Sequence, residues 1–167
     1  MLVPAIYHKE KLEKLFAMHM YDDDMFLYNG FAHCNELPNL KPERGRYSWA
    51  IVDGEKVVGY FSYFIDAESD NVWSFGLYSF EKNKIIGLDV YRKMVELVNK
   101  HRRIEWRMIG GNPVQRHYDH FLKHFHGSRV ILHDVYKDGG EGKYRDEYIY
   151  EILNKGEQIN GCKINVG

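Results

Sequence analysis

The chain has 167 residues, 44% hydrophobic and 28% charged, a composition of single-domain size that excludes disorder and leaves room for one core without staples. A net charge of -1 and a pI near 6.8 exclude the basic field that nucleic-acid binding needs; the short run Lys100-His101-Arg102-Arg103 reads as the solvated end of a helix. With only Cys34 and Cys162, an opening too short for a signal peptide and no window near the ~18 apolar residues of a membrane span, the expectation is a cytoplasmic chain with no nucleic-acid, membrane or cysteine-metal partner.

Lys9 to Met20 carries Leu12, Leu15, Phe16 and His19 at helical spacing. Asp22-Asp23-Asp24 interrupts it, and Met25 to Pro42 reads as a short helix plus loop. Then the period changes to two. Tyr47 to Val52 and Lys56 to Ile65 flank Asp53-Gly54, a hairpin signal, and Val72 to Phe80 gives a third strand after a polar turn. Ile86, Val90, Met94 and Leu97, widened by Tyr91 and Val98, form the clearest amphipathic helix of the chain. Ile104 to Ile109 reads as a buried strand ending at Gly110-Gly111. Asn112-Pro113 offers a cap followed by proline at the first helical position. Val114, Tyr118, Phe121, Leu122 and Phe125 supply that helix's apolar face. Arg129 to Tyr136 and Tyr144 to Leu153 are strands around a glycine-rich loop, and a polar tail follows from Lys155. The expected fold is α/β (α+β), a mixed, mostly antiparallel central sheet with helices on both faces, in the order α-(α)-β-β-β-α-β-α-β-β. A single domain covers 1–154 and the tail 155–167.

The junction Lys84-Ile85-Ile86-Gly87-Leu88-Asp89 is the most informative place for chemistry. A helix N-terminus exposes N–H groups and the positive dipole end, and a glycine there lets a phosphate approach the backbone. A tight strand-to-helix turn without a ligand accounts for the same residues. Elsewhere, His117, His120 and His124 on the late helix read as an exposed flank rather than a metal site. The aromatics Tyr60, Phe61, Tyr63, Phe64, Trp73, Phe75 and Tyr78 on two adjacent strands should divide between the two sheet faces.

Strand order, junction and Asn-Pro helix together resemble the GNAT family of N-acetyltransferases. The family's Q/R-x-x-G-x-G/A cofactor signature reads here Lys84-x-x-Gly87-x-Asp89, with a carboxylate where a small residue is usual. The family's splayed strand ending near an Asn, followed by a helix with a Tyr, is matched by Ile109-Gly110-Gly111-Asn112 and Tyr118. That Tyr falls six residues after the Asn, and Asp119 takes the more usual seventh. Tyr144, Asp146 and Tyr150 after a DG-type loop are similar to the last hairpin of the ribosomal-protein-N-terminal-acetyltransferase branch.

The resemblance implies direct transfer of an acetyl group from acetyl-CoA to an amine of a small molecule or peptide. The donor would lie against Lys84, Ile86, Gly87, Leu88 and Asn112. Backbone N–H groups near Tyr78 and Ser79 would polarise the thioester carbonyl, and Tyr118 would protonate the leaving thiolate. The third strand carries no Asp or Glu. Asp66, Glu68 and Glu81 flank it, and Glu81 is taken as the catalytic carboxylate. No metal is expected. Two other readings stay open: a non-catalytic GNAT-like domain that binds a ligand or partner, and an unrelated α+β interaction domain. A homodimer is also open.

Overall fold

The computed structural model describes residues 1–19, 40, 43–137 and 142–154. In chain order these form Leu2–Pro4 (β1), a 3-10 turn at Ala5–His8, Lys9–His19 (α1), Arg46–Asp53 (β2), Lys56–Asp66 (β3) and Asn71–Ser79 (β4). Lys84–Lys100 (α2), Arg103–Ile109 (β5), Gln115–His124 (α3), Ser128–Lys137 (β6) and Tyr144–Leu153 (β7) follow. The strands make one seven-stranded sheet in the order β1-β2-β3-β4-β5-β7-β6. Every neighbouring pair is antiparallel except β4 and β5. This is the mixed, mostly antiparallel sheet expected, with one strand more.

That extra strand, β1, lies where the sequence shows no periodicity. Three residues are too few to display a period of two, and β1 owes its strand character to pairing Leu2 with Ile51 and Pro4 with Trp49 on the edge of β2. In the hairpin after it, Asp53 faces Lys56 and leaves Gly54-Glu55 as a two-residue loop. Gly54 takes a φ of 57° there, the left-handed conformation such loops require.

Helices cover both faces. α2 buries Ile86, Val90, Met94, Leu97 and Val98 against Ile51, Val58, Phe61, Tyr63, Ile104 and Trp106 of the sheet. Each such side chain is worth about 1.5–3 kcal/mol when removed from water, so the stripe outweighs any local propensity. α3 joins the same core through Phe121 and Phe125. Tyr91, expected to widen the stripe of α2, is 37% exposed and turns its ring edge-on to Phe121. On the opposite face α1 buries Leu12 and Phe16 with Ala50, Val52, Val57 and Tyr60.

The aromatics divide as alternation requires. Phe61, Tyr63 and Phe75 cluster on the α2 side. Tyr60 and Tyr78 meet Phe16 of α1 edge-on. α3 begins at Gln115, two residues after the expected proline start, because Asn112 spends its side chain on a preceding turn by accepting the Val114 N–H at 3.0 Å. The short helix expected within Met25–Pro42, the loop tip 138–141 and the tail 155–167 lie outside the described residues, Leu40 excepted. Among the described residues no helix is long and apolar enough to cross a membrane.

Candidate functional site: a splayed strand pair and the helix that leaves it

β4 and β5 pair only at Asn71–Arg103 and Val72–Ile104, although the two strands run on to Ser79 and Ile109. Beyond that vertex they diverge and open a gap in the middle of the sheet. Two features hold the shape. At the vertex, Asp70 accepts from the Arg102 N–H at 2.9 Å and bonds His101 Nδ1 at 2.8 Å. Its own carbonyl accepts the Arg103 N–H at 3.2 Å. Along the open arm, Ser62 pairs with Gly76 but Phe64 pairs with Trp73, so β4 carries an extra residue. Ser74, inside that bulge, has a φ of 55°. A bulge bends its own strand and raises its twist, here in the strand that borders the gap.

The ladder then fixes which amides face the opening. Phe80 N–H donates to Val58 on β3, so by antiparallel alternation the Tyr78 amide points to β3 as well, and those of Leu77 and Ser79 point away from it, toward β5. The sequence singled out Tyr78 and Ser79. Only Ser79 is placed with its N–H on the gap side, and Tyr78 is committed to the aromatic cluster under α1. The Ser79 hydroxyl donates to the Glu81 carbonyl at 2.7 Å.

The β4–α2 turn lies at the open end of the gap. Asn83 caps the helix, its side chain accepting the Ile85 N–H at 3.0 Å. Lys84 and Gly87 are exposed. A Cβ built on Gly87 meets nothing within 4 Å, so this glycine fronts open space rather than a packed neighbour. Ile86 puts its side chain in the core and leaves only its backbone to the turn. Leu88 is exposed beside Met1, Leu2, Asp89 and Arg92 in a shallow groove of about 510 Å³ between α2 and β1.

Asp89, the residue that breaks the family signature, is held by the α-amino group of Met1 and lies 3.9 Å from the Arg92 guanidinium. Its carboxylate faces β1. The residues present therefore fit a pyrophosphate: an open glycine, an exposed lysine, a helix start, and a carboxylate turned toward β1.

Glu81 does not stand as a free base. It is ion-paired with Lys56, and that bond holds its carboxyl below the usual range. A carboxylate stabilised in its charged form accepts protons poorly. Together with the 2.9 Å bond from the Asn83 side chain to Asp53, the Lys56–Glu81 pair ties the β2–β3 hairpin to the start of α2. Asp66 is likewise engaged by Ser69 and the Glu68 N–H.

Tyr118 sits on the first turn of α3, half-buried, its ring edge-on to Trp106 and Tyr150 at 5.8 Å each. Trp106 is on the open arm of β5, so α3 presents Tyr118 over the β5 border of the gap. Asn112 marks the end of the same arm, its N–H donating to the Ile109 carbonyl at 3.2 Å.

Sequence reasoning passed over the ladder beyond the vertex. Arg103 bonds Glu151 and Glu105, and Arg107 pairs with Glu105 and Glu147. Glu147 is 7% exposed at its side chain and accepts from the Tyr136 hydroxyl at 3.0 Å. Alternation of Arg103, Glu105 and Arg107 along β5 is the period-two signal that could have revealed this polar face. His117, His120 and His124 are exposed, and no cluster that could hold a metal ion occurs among the described residues.

No protein-family model and no curated protein matches the sequence. Solved structures do match the fold. An acetyltransferase from Salmonella typhimurium that modifies the N-terminal serine of ribosomal protein L7/L12 superposes with a TM-score of 0.62 at 15% identity, over 92% of this chain and 94% of that one. The microcin C7 self-immunity acetyltransferase MccE, solved with acetyl-CoA and AMP, gives 0.62 at 15% identity over 92% and 91%. A GCN5-related N-acetyltransferase from Brucella melitensis gives 0.59 at 19% identity over 91% and 74%.

The fold is that of the GNAT acetyltransferases. At these identities the likeness establishes the fold alone. It also spreads over acetyltransferases of several kinds, so the ribosomal-protein branch suggested by Tyr144, Asp146 and Tyr150 is not singled out.

Proposed function

We propose that this chain is an acetyl-CoA-dependent N-acetyltransferase that moves an acetyl group to an amine of a small molecule or peptide. The observation that carries this reading is the gap between β4 and β5, pinned shut at the Asp70 vertex and open toward the start of α2. An open gap in mid-sheet sacrifices ladder hydrogen bonds, and a ligand arm lying between the strands repays them. Acetyl-CoA has the matching shape, a thin pantetheine arm ending in a pyrophosphate. Lys84, Gly87 and the backbone of Ile86 and Leu88 would hold the phosphates, and Asn112 would border the arm.

The chemistry asks little of the protein. The neutral amine nitrogen attacks the thioester carbonyl, and the carbon–sulfur bond breaks. The proton that the nitrogen sheds passes to solvent water, which returns a proton to Tyr118 after each turnover. The Leu77 and Ser79 amides face the gap and stabilise negative charge on the carbonyl oxygen. Tyr118 protonates the departing thiolate.

The test is incubation with acetyl-CoA and a panel of polyamines, amino acids and peptides bearing free N-termini, read by mass spectrometry. A gain of one acetyl group on at least one amine supports the reading. Binding of acetyl-CoA without transfer to any amine favours a ligand-binding domain instead.

A further inference from the structure

We infer that Asp119 is a positioning residue, the anchor that sets the Tyr118 ring against β5; the catalytic part of this inference rests on the acetyl-transfer reading above. Asp119 is the residue at the family's usual tyrosine position, and the structure gives it a different task. Its Oδ1 accepts from the Tyr150 hydroxyl at 3.2 Å and from the Arg129 guanidinium at 2.6 Å. One oxygen thus ties α3 to both β7 and β6.

The two partners are themselves fixed. Arg129 and Tyr150 are directly opposite in the β6–β7 ladder, and the guanidinium lies over the rings of Tyr148 and Tyr150 at 5.2 and 6.0 Å. Tyr150 is fully buried and stacks on Trp106 with ring centroids 5.1 Å apart and planes within 2°. Burial pushes its phenol up to about 12, so it remains a donor across the neutral range.

Tyr118 then closes the circuit, touching the same Tyr150 and Trp106 rings edge-on. Tyr150 therefore meets neighbouring residues of α3 with its two ends, the hydroxyl on Asp119 and the ring on Tyr118. α3 is only ten residues long, and helices that short depend on tertiary contacts to hold their pose. The Asp119 bonds give α3 a directional tie to the sheet, which apolar contacts, being non-directional, do not supply. A misplacement of about 1 Å in a reacting group can cost ~100-fold in rate.

The experiment compares Asp119→Ala and Asp119→Asn in the parent and in a Tyr118→Phe background, with tyrosines labelled at the ring carbon that bears the hydroxyl. In the parent, Asp119→Ala lowers kcat by about tenfold or more and leaves acetyl-CoA affinity within about twofold, since the amides of the cradle are untouched. Asp119→Asn keeps an oxygen for both donors and recovers most of that loss. In Tyr118→Phe, adding Asp119→Ala lowers the melting point as before but removes no further turnover.

Independently of any activity, the Tyr118 resonance shifts in Asp119→Ala and returns toward the parent in Asp119→Asn. An equal loss of turnover in both backgrounds, or an unmoved Tyr118 signal, overturns the assignment. A parent that transfers no acetyl group removes the catalytic half together with the activity it rests on. The tyrosine signal then still decides whether Asp119 sets the ring.

Discussion

Replacing Gly87 with Glu should move fold stability and cofactor affinity in opposite directions. Gly87 is exposed in the first turn of α2, with nothing within 4 Å of where a Cβ would stand, so the larger side chain meets no clash. Leaving glycine gains about 0.5 kcal/mol of helix propensity, and an acidic group near the positive helix end adds about 0.3–1 kcal/mol. The free protein should therefore melt about 2–4 °C higher, at roughly 1 kcal/mol for a domain of this size.

The same carboxylate would stand in the phosphate cradle. At ~6 Å and an effective dielectric of ~40, each unit of phosphate charge costs about 1.4 kcal/mol. Two such charges weaken CoA binding by about 100-fold. Differential scanning calorimetry of the free protein and isothermal titration with CoA read the two effects separately. Parent-like CoA affinity in Gly87→Glu would refute the cradle, and a lowered melting point would refute the open geometry around this glycine.

Other outcomes follow from the same structure. Tyr118→Phe keeps the ring against Trp106 and Tyr150 but removes the proton, so kcat should fall by ~100- to 10,000-fold with little change in CoA affinity; intact turnover would leave Tyr118 as a core residue only. Glu81→Gln should leave turnover within about twofold and loosen the hairpin through the lost Lys56 pair, and a loss as large as that of Tyr118→Phe would restore Glu81 to the chemistry. The Asp70 carboxyl is held below its usual range by its bond to His101, then by the Arg102 N–H. A group with a depressed folded pKa contributes stability above its unfolded value near ~3.9 and loses it as pH falls through the lower folded one. The melting temperature of the parent should thus fall more steeply below about pH 4 than that of Asp70→Asn, and superimposable acid limbs would contradict this. In Gly127→Ala the new Cβ would lie 2.4 Å from Leu122 Cδ1 and 2.5 Å from the Glu151 carbonyl. A backbone oxygen cannot step aside as a side chain can, so thermal unfolding should register a loss of about 1–3 kcal/mol.

What could be read in advance was set by how local each signal is. The stripe of α2 and the hairpin around Gly54 are written within a few residues, by periodicity and by a turn that needs a positive φ, and both stand where expected. β1 was invisible because its three residues become a strand only against β2. The start of α3 was misplaced because Asn112 has two uses, cap and turn, that look alike in one dimension. The site was less legible than the fold. A bulge at Ser74 puts a residue with no special tolerance for positive φ in that conformation, and nothing in the sequence marks it. The bulge and the vertex at Asp70 decide which amides face the gap, so Tyr78 could not be told from Ser79 beforehand. The signature does not show that Asp89 faces β1, because β1 is distant from it in sequence. Glu81 looked available for the same reason, its lysine lying on another hairpin.

The most direct test of the account is a crystal structure with CoA bound. The account predicts density for the pantetheine arm between the Trp73–Ser79 stretch of β4 and the Glu105–Ile109 stretch of β5, with the pyrophosphate against the backbone from Lys84 to Leu88 and the sulfur end near the Tyr118 hydroxyl. CoA lying outside the gap, or crystals grown at millimolar CoA in which the gap holds only water, would contradict it.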